Sequence, residues 1–369
     1  MALSPNYGWS EPDNSSLVKN GAQDIRTLGD AIDTSVWNVG FGQAGKNKII
    51  NGDFNIWQRG TSFSSMGFAA YTADRFQNAQ LNTLAVTASQ QSFTTGSAPV
   101  AGYENAYFHR TVVPANSAAG DYAQLNQKIE DVRKLAGQQV TLSFWAKAAS
   151  GTPKIAIGLT QNFGSGGSPS SAVDTYISQV TTSTSWARYT ATFTVPSISG
   201  KTVGTTANTS FLMIQLWYSA GSSLNARTGS LGNQANTFDI WGVQVEYGSK
   251  ATPFQTASGG SPQAELAMCQ RYYYQSDLSS TDSPFGAAFS TSGASFSLPL
   301  PQTMRTSPSA SSSGTLTANE PGAGTRNFTA VAFGYRTRAL LLEMTGSSGL
   351  TVGKLLAADG GVIAISAEL

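Results

Sequence analysis

The chain has 369 residues, only 12% of them charged, with a formal net charge of +1 and one cysteine, Cys269. That length allows two or three domains, each with its own core, while so little charge leaves no field to gather nucleic acid or an anionic membrane. An intramolecular disulfide is excluded by count, and no run of about 18 apolar residues is present to span a bilayer.

Glycine, serine, threonine, asparagine and glutamine are abundant and 10% of residues are aromatic, which favours short strands and polar turns over helical bundles. The opening "MALSPNYGWSEPDNSS" is neither basic nor apolar, so the expectation is synthesis in a cytoplasm without an export signal. In residues 1–45, Asn14 and Ser15 are N-cap candidates for a short helix. Val18, Ala22, Ile25, Gly29, Ile32 and Val36 follow at steps of 4, 3, 4, 3 and 4, a heptad stripe. The stripe either packs on its own domain or joins a parallel oligomerisation helix; its small residues and its place near the terminus favour the second. Gly21 and Gly29 each weaken the isolated helix by roughly 1 kcal/mol.

Residues 46–256 carry four runs with strand alternation. In "VTLSFWAKA" Val140, Leu142, Phe144 and Ala146 share one face, opposite Trp145 and Lys147. In "WARYTATFTVP" the apolar face is Tyr189, Ala191, Phe193 and Val195, opposite Trp186 and Arg188. "FLMIQLWYS" sets Leu212, Ile214, Leu216 and Tyr218 against Gln215 and Trp217, and "TFDIWGVQVEYG" sets Val243 and Val245 against Gln244 and Glu246. Such strands with polar connections indicate an all-β sandwich. "YAQLNQKIEDVRKLAG" fits a short helix or an extended segment equally. In residues 257–369, Pro262 and Glu265 suit a helix start, and short apolar runs between Gly, Ser and Pro then indicate a small β domain.

Catalytic residue types are scarce. His109 is the sole histidine and has no nucleophile elbow around it, Cys269 lies among apolar and aromatic residues, and "NFGSGGSPS" lacks the lysine-hydroxyl pair of a phosphate loop. Asp53, Asp74, Glu104, Asp121, Asp174, Asp239 and Glu246 are available for glycoside hydrolysis, but no pattern pairs two of them. The chain reads as a binding protein and not an enzyme. A pyranose offers a C–H face to an indole and hydroxyls to amides or guanidinium groups. Trp145, Lys147, Trp186, Arg188, Gln215 and Trp217, all opposite the core faces, are therefore the candidate glycan contacts; burial of the tryptophans against loops, the other sheet or a second subunit is the alternative.

The runs "IINGDFNIWQRG", "LNQKIEDVRKLAGQQVTLSFWAKA", "WARYTATFTVP" and "FDIWGVQVEYGSKATPFQ", in this order, resemble jelly-roll domains of the carbohydrate-binding-module kind. Bacteriophage tail fibre and virion structural proteins carry a similar module, followed by a segment like "AELAMCQRYYYQ" and a Met-Arg pair with a proline, here Met304, Arg305 and Pro308. The resemblance implies a mainly β chain: a virion anchor and short helix over 1–45, a jelly-roll sandwich over 46–256, and a distal β domain over 257–369. It further implies a homotrimer in the virion, attached to other virion proteins by its N-terminal segment and recognising host cell-surface polysaccharide. A purely structural capsid-fibre, collar or baseplate role is the first rival and a depolymerase the second. Some sugar-binding jelly rolls hold a structural calcium, which implies Asp53 and Asp239 as oxygen ligands; a turn hydrogen bond for Asp53 and a neighbouring amide for Asp239 are the alternative. The opening "NGDFNIW" is expected to be structural: a turn at Asn51-Gly52, Phe54 and Ile56 in the core, and Trp57, Gln58 and Arg59 covering an edge, with sugar contact by Trp57 and Arg59 as the other reading.

Overall fold

The computed structural model describes residues 2–4, 9–12, 17–39, 44–64, 66–81, 84–100, 103–279, 283–336 and 338–369. The N-cap candidates Asn14 and Ser15 lie outside them. A 3-10 turn, Val18–Asn20, leads into an α-helix, Gly21–Val39, on which Val18 and Ile25 are 96% and 66% exposed and Ala22, Gly29 and Ile32 also face outward. The side chain of Val36 is not among those described.

The chain is mainly β. Two six-stranded antiparallel sheets face each other. The first runs Val173–Thr181, Lys154–Asn162, Phe211–Ala220, Tyr122–Glu130, Phe76–Gln80, Ala69–Tyr71; the second runs Ala187–Thr194, Gln139–Ala148, Asn236–Tyr247, Tyr107–Val113, Thr87–Ser92, Ser62–Phe63. Alternation decides what lies between them: Val140, Leu142, Phe144 and Ala146 meet Ile155, Ile157, Leu159, Leu212, Ile214 and Leu216 in one apolar core. The ambiguous run from Tyr122 resolves as a strand followed by turns, because Ala123, Leu125 and Ile129 enter that core at every second position.

The opening turn is structural. Asn51 and Phe54 both have positive φ, and the Asn51 amide fixes the turn by donating to the carbonyls of Ile56 (2.9 Å) and Asp74 (3.0 Å). At Gly52 a Cβ would come 2.1 Å from the Val243 carbonyl oxygen, so only glycine lets the turn approach the closing strand. Phe54 enters the core, whereas Ile56 is only half-buried. The Trp57 indole donates to the Phe54 carbonyl (2.7 Å) and stacks on His109 with centroids 5.5 Å apart.

A third sheet of eight strands holds a separate apolar core that includes Phe296, Leu298, Leu342, Met344, Ile363 and Ile365. The helix Pro262–Gln270 precedes it, with Ser261 as N-cap and proline in its first turn. Its Glu265 accepts the main-chain N–H groups of Asn51 (2.6 Å) and Ser258 (2.8 Å), and Cys269 is buried.

Charged groups join this region to the sandwich. Glu368 pairs with Arg75 and, at 3.1 Å, with Arg59. Arg75 is 1% exposed, lies over the Tyr272 ring at 3.4 Å, and donates to the Lys128 carbonyl at 2.7 Å. Arg59 lies over Tyr273 at 3.6 Å, and Arg305 donates to the carbonyls of Ala367 (2.8 Å) and Glu368 (3.0 Å). The Arg-Tyr-Tyr and Met-Arg motifs thus act at this junction, as does the guanidinium of "WQRG".

Removing one partner strands the other charge in a buried site. Glu368→Gln is expected to cost about 3–5 kcal/mol in urea unfolding, whereas a loss below about 1 kcal/mol would show that the pair behaves as a surface ion pair.

Candidate functional site

The six candidate glycan contacts fall on two separate surfaces, because they come from the outer faces of opposite sheets. Gln215 and Trp217 belong to the first sheet, where a groove of about 350 Å³ crosses the outward residues. Strand pairing builds it: Trp217 lies opposite Gln124, and Gln215 opposite Asn126 and Gly158. Gln215 donates to the Gln124 side-chain oxygen (2.9 Å), and its own Oε1 lies 3.1 Å from the Thr160 hydroxyl. Thr160 donates to Asp174 (2.5 Å), which also pairs with Arg227 (2.8 Å). Arg227 lies 5.1 Å from the Trp217 ring, and the Tyr122 ring lies 5.7 Å from the same indole. A Cβ at Gly158 would come 2.9 Å from Trp217 Nε1, so the absence of a side chain there leaves the indole its place.

Within this groove the Trp217 N–H and both polar atoms of the Asn126 amide are buried without hydrogen-bond partners. Buried polar atoms normally have partners. Three unmet atoms underlie one wall of the groove, beside a guanidinium and an aromatic pair. The sequence reading missed Gln124, Asn126, Thr160 and Arg227. A strand assignment for "YAQLNQK" would have supplied the signal, since Tyr122, Gln124, Asn126 and Lys128 then alternate with the core residues.

Trp145, Lys147, Trp186 and Arg188 lie on the second sheet and are committed to protein contacts. Trp145 is only 8% exposed, the burial weighed as the alternative for these tryptophans, and Trp217 is 1% exposed. Trp145 joins Trp241, Phe254 and Phe108 in a small apolar cluster, with Phe93, Tyr103 and Trp186 packed around it. The guanidinium of Arg188 covers Trp145 at 4.6 Å and donates to Ser143 (3.0 Å). Lys147 lies 5.3 Å from the Trp186 ring and 3.6 Å from Asp239. A bulge at Gly242, where φ is +64°, places Trp241 and Gln244 on the same face and fits under Trp145. Glu246 then ties down the following loop by accepting the Thr252 N–H at 2.8 Å and its hydroxyl at 2.7 Å.

Of the two aspartates considered for calcium, Asp53 accepts the Asn55 amide at Oδ2 (2.7 Å), the turn hydrogen bond given as the alternative. Both oxygens of Asp239 accept from Arg110, at 2.7 and 2.8 Å, so that carboxylate is already neutralised. Among the described residues no three His, Cys, Asp or Glu side chains gather as a ligand set. Trp57 and Arg59, the other sugar-contact reading, are engaged by Phe54 and by Glu368.

Burial sets the titratable groups. His109 is fully buried beside Thr72, Asn78 and Thr111, and desolvation lowers its pKa to about 3, so it is neutral. Asp53 rises to about 6 through desolvation and the nearby Glu265 charge, and Asp74 to about 6 through desolvation. Burial also pushes the Cys269 thiol well up, leaving it a poor nucleophile.

Residues 76–210 match the family model described as a carbohydrate binding domain, a stretch that holds Gln124, Asn126 and Thr160 but ends before Gln215. No curated protein matches the chain. Among solved structures, the enzymatically active domain of tailspike protein 4 of bacteriophage CBA120 is 15% identical with a TM-score of 0.29, covering 55% of this chain and 21% of that one. A CBM4 structure is 16% identical with a TM-score of 0.28, covering 54% and 98%. The CBM22-1 xylan-binding domain of Paenibacillus barcinonensis Xyn10C is 9% identical with a TM-score of 0.30, covering 57% and 99%.

The buried groups act oppositely in acid. Because the His109 pKa is lowered on folding, its contribution is complete above about pH 6.5 and is lost as pH falls toward 3; Asp53 and Asp74, raised on folding, favour the native state as pH falls from 6 to about 4. Comparing His109→Gln with the unaltered protein in urea isolates the histidine. The stability gap should shrink by about 2–3 kcal/mol between pH 7.5 and 4.5, and a constant gap would show that His109 does not remain neutral.

Proposed function

We propose that the chain is a bacteriophage virion fibre protein, a homotrimer attached through its N-terminal segment, whose groove binds neutral host cell-surface polysaccharide without cleaving it. The observation that carries the binding reading is the set of unmet polar atoms, Asn126 and Trp217 Nε1, on a groove built from amides and aromatic rings. The carbohydrate binding domain match over residues 76–210 supports the same ligand class. Binding is favoured over hydrolysis because among the described residues no carboxylate lines the groove, and Asp174 beside it is paired with Arg227; glycoside cleavage needs two carboxylates. The virion role rests on the sequence resemblance and on the exposed Val18, Ile25 and Ile32 stripe, an apolar face suited to copies of the same helix. Three grooves on one trimer would convert weak single-site contact into firm attachment.

Asn126 permits a test that separates folding from binding. Removing a buried amide with no partner leaves no group stranded, so Asn126→Ala should unfold at the same urea concentration or higher. Binding of labelled protein to susceptible bacteria should fall about tenfold or more in this variant, and periodate oxidation of the cell surface should abolish it for the unaltered protein. Staining that survives periodate, or that Asn126→Ala leaves intact, would remove the groove as the glycan site, and no staining of any susceptible host would leave the structural virion role.

A further inference from the structure

A second cavity, of about 380 Å³, opens beside the Asn51-Gly52-Asp53-Phe54 turn, within the size range of small-ligand sites. It shares no lining residue with the groove, so its reading stands whether or not the groove binds sugar. Asp53 lines it and is 6% exposed; its Oδ1 is buried with no hydrogen-bond partner, while its Oδ2 accepts the Asn55 amide at 2.7 Å. Glu104 and Glu265 also line the cavity, and among the described residues no lysine, arginine or histidine does. Glu265 has both oxygens engaged by the main-chain N–H groups of Asn51 and Ser258, and Glu104 accepts the Gly96 N–H at 3.1 Å. Asp53 Oδ1 is therefore an unpaired acceptor at the wall of a half-open space lined by carboxylates, and a buried acceptor without a donor is costly.

The lining distinguishes between cations. A calcium ion takes six to eight oxygen ligands, and here both Glu265 oxygens and Asp53 Oδ2 already accept from protein donors. An ammonium has three N–H donors, and Thr256 and Ser261 add hydroxyl oxygens to the lining, each already accepting one main-chain N–H, from Gly260 and Ala264, and keeping a second lone pair. The cavity is also much larger than a lone ion, and its Tyr103, Ile56 and Pro262 walls offer apolar surface to the body of a ligand. We propose that this cavity binds a primary ammonium carried on a hydroxyl-bearing ring of sugar size, the chemistry of a 2-amino sugar, with Asp53 accepting from the ammonium.

The test is calorimetric titration of the full chain with glucosamine, with N-acetylglucosamine and with calcium chloride. Saturable glucosamine binding is expected, with no detectable heat from the acetylated sugar, which has lost the charge and two of the donors. Asp53→Asn keeps the shape and removes the charge, and should weaken glucosamine binding about thirtyfold or more. The comparison of the two sugars needs no variant, so it decides the matter even where Asp53→Asn does not fold. Equal binding of both sugars, no binding of glucosamine, glucosamine binding unaffected by Asp53→Asn, or displacement of glucosamine by calcium would each overturn the proposal.

Discussion

The arrangement of the molecule depends on one buried carboxylate. Glu368 is held between Arg59, just after the opening turn, and Arg75, in the turn before the Phe76–Gln80 strand. A guanidinium as enclosed as Arg75 requires a counter-ion and hydrogen-bond acceptors, and the sandwich itself supplies only the Lys128 carbonyl. The eight-stranded region therefore brings a charge that the sandwich lacks, and Tyr272 and Tyr273 close over the two guanidinium groups. The helix adds Glu265, which accepts the Asn51 N–H at one oxygen and the Ser258 N–H at the other.

With the sandwich anchored in this way, its two outer faces have different fates. On the second sheet, the segments carrying Phe93, Tyr103 and Phe254 fold over the tryptophans, and the face becomes a small second core. On the first sheet, Trp217 is also buried, yet it is flanked by amides and a guanidinium instead of further apolar rings, and polar atoms are left unmatched. The same alternation thus produced a closed face and a receptive one. What separates them is the cover that loops provide, not the strand residues themselves.

This difference also explains how much could be read from the sequence. Period-two alternation correctly assigned Val140, Leu142, Phe144, Leu212, Ile214, Val243 and Val245 to the interior, since each choice depends only on neighbours along one strand. The Pro262 helix start was legible for a similarly local reason. The fate of Trp145 was not, because Phe93 and Phe254, which lie far away in the chain, help to enclose it. Asp239 could not be matched to Arg110 without the register of two strands more than a hundred residues apart. The amides of "YAQLNQK" hid the Tyr122–Glu130 strand, because polar residues on the outward positions blurred both the helical and the extended pattern. For the candidate site, the sequence therefore indicated Gln215 and Trp217 but not the neighbours that give them a setting.

The long strand Leu355–Ser366 lies inside the third sheet, pairing with Tyr273–Asp277, Phe285–Ala288 and Ser309–Glu320. A ribosome delivers these partners in order, and all three must wait for a strand that emerges after them. The sandwich can form while synthesis continues, but the third sheet cannot close until Leu355–Ser366 is free, and only then does Glu368 reach Arg75. Closure of the third sheet therefore waits for its last strand, and a chain interrupted before it would expose unpaired edges and an uncompensated buried arginine.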